Sequence, residues 1–520
     1  MALKIILLIL FFGSMIGIGI YCRRHSTNVN GFVLGGRSVG PWLTAFAYGT
    51  SYFSAVIFVG YAGQFGWKYG IASTWVGIGN ALLGSLLAWV VLGRRTRIMT
   101  QHLHAATMPQ FFQARYGGSA LKIAASVITF IFLIPYTASL YNGLSRLFGM
   151  AFNIGYEYCV IVMAILTAVY VIAGGYMATA INDFVQGIIM LIGIVAVIAA
   201  VLKTNGGFMA SLQGLAAVND PAVSDTPGIF ASFFGPDPFN LLAVVILTSL
   251  GTWGLPQMVQ KFYAIKSEKS ISTGTVVSTF FAIVVAGGCY FLGGFGRLFS
   301  DRIDTSAGGF FDSIIPTMLS DLPNILIAIV IILVLSASMS TLSSLVLTSS
   351  STLTLDLLKG HVVKSMSEKK QLLIMRILVV VFIAISVVIA ILQYRNNVTF
   401  IAQLMGVSWG ALAGAFLAPF LYGLYWKKTT KAACWISFVF SSCFMIFDML
   451  NNMLKWNLLP SWLASPINAG AFCMLFGLAI VPLISLITPK PQKDIVDGAF
   501  ACYDQKVLVS QKEALADEAE

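Results

Sequence analysis

Apolar stretches long enough to cross a bilayer recur thirteen times in this chain, near 2–22, 41–65, 71–93, 121–148, 156–175, 181–202, 238–260, 271–296, 322–352, 372–394, 398–425, 431–451 and 466–488. A spanning helix needs roughly 20 apolar residues. Lipid offers the backbone no hydrogen-bond partners, so a stretch of this kind folds as a helix that satisfies itself. The stretches fill most of the 520 residues and leave no room for a separate soluble domain. An all-α integral membrane protein is expected.

Composition supports this. Charged residues are 10% of the chain, against about 25% in soluble domains. A net charge of +11 would point to nucleic acid if it covered a surface. With alternating sides and the amino terminus outside, 23 of the 31 Lys and Arg, Lys261 among them, fall in cytoplasmic segments. That bias and the odd helix number agree on one topology in the cell membrane, amino terminus out and carboxy terminus in. The basic charge is read as a topology signal, with no nucleic-acid partner and no obligate protein partner expected. The first stretch, Ile5 to Ile20, is long for a signal peptide and lacks an A-x-A site, so it reads as a retained helix. The seven cysteines form no C-x-x-C pair and read as packing residues.

Residues 204–237 and 297–321 read as outer loops, and 489–520 as a solvated cytoplasmic tail ending in acidic residues. Two helices look interrupted. The run Gly49-Thr50-Ser51-Tyr52-Phe53-Ser54 is poor in helix formers. In Thr248-Ser249-Leu250-Gly251-Thr252-Trp253-Gly254-Leu255-Pro256, the proline cannot donate to the residue four back. Paired interruptions in two halves of a membrane protein point to a binding site between inverted repeats.

The ninth stretch carries Ala337-Ser338-Met339-Ser340-Thr341. A carbonyl at Ala337 and hydroxyls at Ser340 and Thr341, at i, i+3 and i+4, share one helix face. Oxygen donors suit a small hard cation. The competing reading is that the hydroxyls bond back to carbonyls one turn earlier. No paired carboxylates, H-E-x-x-H or Ser/His pair lies at membrane depth, so an enzyme is not expected.

Several motifs in order resemble the sodium:solute symporter family over nearly the whole chain. They are Leu34-Gly35-Gly36-Arg37-Ser38, Gly174-Gly175-Tyr176 with Asp183 and Gln186, Met339-Ser340-Thr341-Leu342-Ser343, and Gly423-Leu424-Tyr425-Trp426. Asn182-Asp183 and Thr50-Ser51-Tyr52-Phe53-Ser54-Ala55 look closest to the bacterial pantothenate branch, with the proline-permease branch next. The resemblance implies a leucine-transporter-like fold of thirteen transmembrane helices with two inverted five-helix repeats. The transmembrane domain, 1–488, would divide into a first helix and loop (1–40), repeat one (41–202), repeat two (238–425) and two extra helices (431–488). It also implies a co-transported sodium ion held by carbonyls of Thr50, Phe53 and Ala337 and hydroxyls of Ser340 and Thr341, with Asp183 on the inward sodium path. A helix amino-terminal carboxylate is the other reading of Asp183.

A solute pocket is expected between the two breaks. Its candidates are Ser51, Tyr52, Ser54, Val56, Tyr136, Thr248, Thr252 and Trp253. The proline branch carries an acidic residue where this chain has Tyr52 and an aromatic where it has Val56, which speaks against proline. The expected function is sodium-coupled symport of a small carboxylated or zwitterionic organic solute, such as pantothenate, an amino acid or a monocarboxylate. The alternatives are a proton-coupled or passive facilitator and a solute-sensing receptor on the same scaffold.

Overall fold

The computed structural model describes residues 2–23, 26–152, 154–306, 309–359, 362–363, 365–396 and 401–504. The acidic end of the tail, 505–520, lies outside the described residues. The principal helices are α1 (Ala2–Cys22), α2 (Pro41–Tyr52), α3 (Ser119–Phe152), α4 (Tyr156–Thr204), α5 (Pro238–Gly254) and α6 (Pro256–Tyr263). They continue with α7 (Asn324–Thr352), α8 (Glu368–Asn396), α9 (Ile401–Tyr425), α10 (Lys431–Met453), α11 (Pro466–Ile487) and α12 (Lys493–Phe500).

Ten helices among the described residues are long and apolar enough to cross a membrane, or eleven if α5 and α6 count as one bent span. The expected count of thirteen is not confirmed. Broken and wide turns blur the boundaries: Val56–His102 runs as one 47-residue apolar segment, and Tyr156–Val169 is too short to qualify. Gly175 divides α4 with φ 56° and ψ −151°, a conformation that favours glycine. A Cβ there would also sit 2.8 Å from Phe32.

At the centre stands α7, buried at every residue from Leu333 to Thr352. It packs against α1, α2, α3, α4 and α8. A second buried column, α9, packs against α3, α5, α10 and α11. There a Cβ at Gly410 would lie 2.7 Å from the Cα of Gly470, so the small residues permit close approach.

The two segments read as outer loops are joined by Arg297, which donates to Asp220 at 2.8 Å and to the Trp67 carbonyl at 2.6 Å. The start of the tail is packed, in contrast to the solvated segment expected. Val496, Ala499 and Phe500 of α12 are buried, and the Phe500 ring lies 5.0 Å from the Arg115 guanidinium. At the other end of α6, Arg37 donates to the carbonyls of Tyr263 (3.0 Å) and Ala105 (2.7 Å) and so fixes where α6 stops.

Candidate functional site

The break in α2 has a local cause. The hydroxyls of Thr50 and Ser51 donate to the carbonyls of Phe46 (2.8 Å) and Ala47 (2.5 Å), four residues back. Such bonds compete with the helix ladder. The helix ends at Tyr52, Phe53 is extended (φ −87°, ψ 121°), and wide helical turns resume at Val56. The Ser54 hydroxyl accepts from the Val56 amide at 3.2 Å, and Ser338 of α7 accepts from the Ala55 amide at 3.3 Å. The chain leaving the break is thereby pinned to α7.

The consequence is a cage of oxygens. Thr341 Oγ1 lies 3.3 Å from the Thr50 carbonyl, 3.3 Å from the Phe53 carbonyl and 3.1 Å from the Ala337 carbonyl. A hydroxyl has one proton, so it cannot satisfy three acceptors at once. Three carbonyls converging on one buried point have the chemistry of a cation seat. The Ser340 hydroxyl is buried beside them with no hydrogen-bond partner among the described residues. The competing reading of the sequence holds for Thr341, which does bond back to Ala337, and fails for Ser340. All five expected ligands are therefore brought together or left with a free oxygen.

The solute candidates divide. Tyr136 of α3 is buried, its hydroxyl without a hydrogen bond among the described residues; Ser54 and Trp409 flank it. The Tyr136 and Trp409 rings meet edge to face at 5.9 Å, and the indole N–H of Trp409 is also buried without a partner among the described residues. Tyr136 thus places its hydroxyl beside Ser54 of the α2 break. Val56 is fully buried in the first turn after the break. Tyr52 closes α2, and its side chain lies outside the described residues.

The remaining four are engaged elsewhere. Thr252 donates within reach of the Gly84 and Ser249 carbonyls, both at 2.9 Å, and the Trp253 indole donates to the Leu83 carbonyl at 2.9 Å. Thr248 bonds back to Val244 at 2.8 Å. These three bind α5 to itself and to the wide-turned helix Asn80–Leu87. Ser51 faces Ser344 of α7 at 3.0 Å.

Residues 32–439 match the model of the sodium:solute symporter family. The chain belongs to the sodium:solute symporter family. It is 26% identical over 507 residues to the osmoregulated proline transporter OpuE of Bacillus subtilis, covering 95% of this chain and 96% of that one. It is 30% identical over 436 residues to a sodium/proline symporter of Staphylococcus aureus, covering 82% of each. A Na+-coupled sialic acid symporter, solved substrate-bound and outward-open, shares the fold with a TM-score of 0.71 at 13% identity, covering 94% and 99%. The chain is thus a multi-pass membrane transporter with the leucine-transporter-like fold, not an enzyme, and sodium is its coupling ion.

In this symporter Asp183 is not at a helix start. The helix resumes at Tyr176, so Asp183 lies about two turns in, fully buried. The amino-terminal dipole reading fails, because that effect fades beyond the first turn. Its partner is Lys261, whose Nζ lies 3.7 Å from Asp183 Oδ2. Sequence counted Lys261 among cytoplasmic surface charges; the structure buries it. Sequence also missed Trp409 and Ser338. Trp409 stands among Gly406, Gly410 and Gly414.

Proposed function

We propose that this symporter binds one sodium ion at the carbonyls of Thr50, Phe53 and Ala337 and the hydroxyls of Ser340 and Thr341. A small carboxylated or zwitterionic solute binds across the α2 break at Ser54, Tyr136 and Trp409. The observation that carries this reading is the convergence of three carbonyls on Thr341 Oγ1, from both sides of the α2 break and from α7. Sodium there ties the broken helix to α7 and orders the adjacent pocket. The repeats, 41–202 and 238–425, then rock between outward and inward states, and sodium leaves past Asp183. A ligand drives such a change only through its different affinity for the two states. The amino terminus faces outside and the carboxy terminus the cytoplasm.

Kinship with proline transporters moves proline ahead of pantothenate as the first solute to test. The departures at Tyr52 and Val56 keep other zwitterions in the panel. One charge crossing about 100 mV contributes about 2.3 kcal/mol, and a tenfold sodium gradient about 1.4 kcal/mol. Together, about 3.7 kcal/mol concentrates a zwitterion several hundredfold.

The test is uptake into proteoliposomes of labelled proline, other amino acids, pantothenate and monocarboxylates under sodium, potassium or proton gradients. Uptake driven by sodium alone is expected. Sodium-indifferent uptake by folded protein would instead support a facilitator or proton coupling.

A further inference from the structure

Beside the packed start of the tail lies a groove of about 920 Å³, with Arg94, Arg95, Arg97, His102 and His104 on its walls and Glu268 as its acidic residue. The three arginines belong to the short helix Arg94–His102. Arg94 is paired, its Nε 2.7 Å from Glu268 Oε2. Arg95 and Arg97 form no ion pair with a carboxylate among the described residues. Arg95 stacks on the rings of Tyr425 and Tyr503, at 4.2 and 4.6 Å, and donates to the Leu424 carbonyl at 3.1 Å. Arg97 donates to the carbonyls of Ile265 (3.0 Å) and Lys266 (2.9 Å). These contacts orient the two guanidinium groups and leave their charge uncompensated. The chain itself arrives here. The Gly498 carbonyl of α12 lies 2.8 Å from His102 Nε2, and the Tyr503 hydroxyl donates to the Arg95 carbonyl at 3.2 Å. Tyr503 lines the groove, and Asp504 after it is exposed. Further on, residues 513–520 carry Glu513, Asp517, Glu518 and Glu520 and no Lys or Arg. An extended chain from Asp504 reaches up to about 30 Å by Glu513, so the acidic stretch can turn back over a groove that begins at Tyr503.

We propose that the acidic segment 513–520 of this same chain docks in the groove, with its carboxylates on Arg95 and Arg97. Guanidinium groups suit this occupant, because two parallel N–H donors match the two oxygens of a carboxylate. A single exposed ion pair holds weakly, but four carboxylates on one tether bind as a set. The tether also sets the concentration: a short flexible linker holds its ligand at about 1 mM. Once docked, the segment joins the helix Arg94–His102 to the tail, while Arg97 keeps its hold on the turn at Ile265 and Lys266 that follows α6.

The experiment is fluorescence anisotropy of a labelled synthetic peptide of residues 505–520 against the full-length protein in phosphatidylcholine nanodiscs. The full-length variant E513Q/D517N/E518Q/E520Q, whose own segment is neutral, is expected to bind the peptide with a Kd below about 1 mM, the concentration the tether supplies. The wild type is expected to bind it at least tenfold more weakly, because its own segment fills the groove. No binding to the neutral-tail variant, or equal binding to both proteins, overturns the proposal. Adding R94Q/R97Q to the neutral-tail variant should abolish binding. Should those substitutions unfold the protein, salt supplies the second test, since screening weakens exposed charge pairs. Peptide binding to the neutral-tail variant should fall at least tenfold at high salt, and salt-insensitive binding overturns the proposal. An anionic lipid headgroup is the rival occupant. Native mass spectrometry with added phosphatidylglycerol is expected to show equal lipid retention by the wild type and by R94Q/R97Q. Retention by the wild type that R94Q/R97Q loses would make the groove a headgroup site and overturn the proposal.

Discussion

The two broken helices end in opposite electrostatics. At the α2 break, Thr50 and Phe53 turn carbonyl oxygens toward α7, where hydroxyls complete the cage. At the α5–α6 break the backbone is satisfied locally. The Leu255 amide bonds to Gly251 at 3.2 Å, and the amides of Met258 and Val259 to Leu255 at 3.0 Å. That second break delivers a side chain, Lys261, carried to Asp183 by the bend. At the α2 turn the freed carbonyls meet a hydroxyl of α7, which is the arrangement the proposed sodium site uses. At the α5–α6 break the bend sets the direction of α6.

The sharpest way to break this comparison is Thr341→Ala. It removes the hydroxyl that meets all three carbonyls and leaves buried acceptors unpaired, a loss of about 1–3 kcal/mol. The half-saturating sodium concentration should rise roughly five- to hundredfold, with uptake at saturating sodium largely kept. An unchanged sodium requirement in transport assays would remove Thr341 from the cage. Ser340→Ala should shift the sodium requirement in the same direction, with no loss of melting temperature, because its hydroxyl has no hydrogen-bond partner among the described residues to lose. A melting temperature that falls instead would make Ser340 a structural residue.

Gly251→Ala probes the other break. A Cβ there would lie 2.4 Å from the Trp409 ring, and overpacking of this kind costs about 1–3 kcal/mol. The expected result is a raised KM for the solute with an unaltered sodium requirement; a change in sodium requirement alone would separate Trp409 from the solute. The smallest effect is expected from Thr252→Val, which loses its bond toward Gly84 and about 1 kcal/mol of stability. Thermal unfolding should detect it while transport kinetics stay as in the wild type. A raised solute KM would return Thr252 to the pocket.

The letters made the breaks legible because they are local chemistry: Thr50 and Ser51 bond back along their own helix, and Pro256 cannot donate. They made three of the five cage residues legible because Ala337, Ser340 and Thr341 share a face by helical spacing alone. The division of the solute candidates was not legible. Thr252, Trp253 and Ser54 are alike as polar-tipped residues near a break, and only the packing of α5 on Asn80–Leu87 turns the first two away. The count of spans was blurred for the same reason, since wide turns and Gly175 redraw boundaries that hydropathy alone places.

By itself the sequence determined an all-helical membrane protein, where two of its helices break, and which oxygens of α7 face one way. Those features arise from lipid's refusal to solvate backbone and from the helical period, both of which act within a few residues. The tertiary structure alone decided that Lys261 is buried against Asp183, that Trp409 stands over Tyr136, and that Thr50 and Phe53 point at Thr341. Each of these joins residues from different helices, and no local rule of spacing or propensity reaches across that gap.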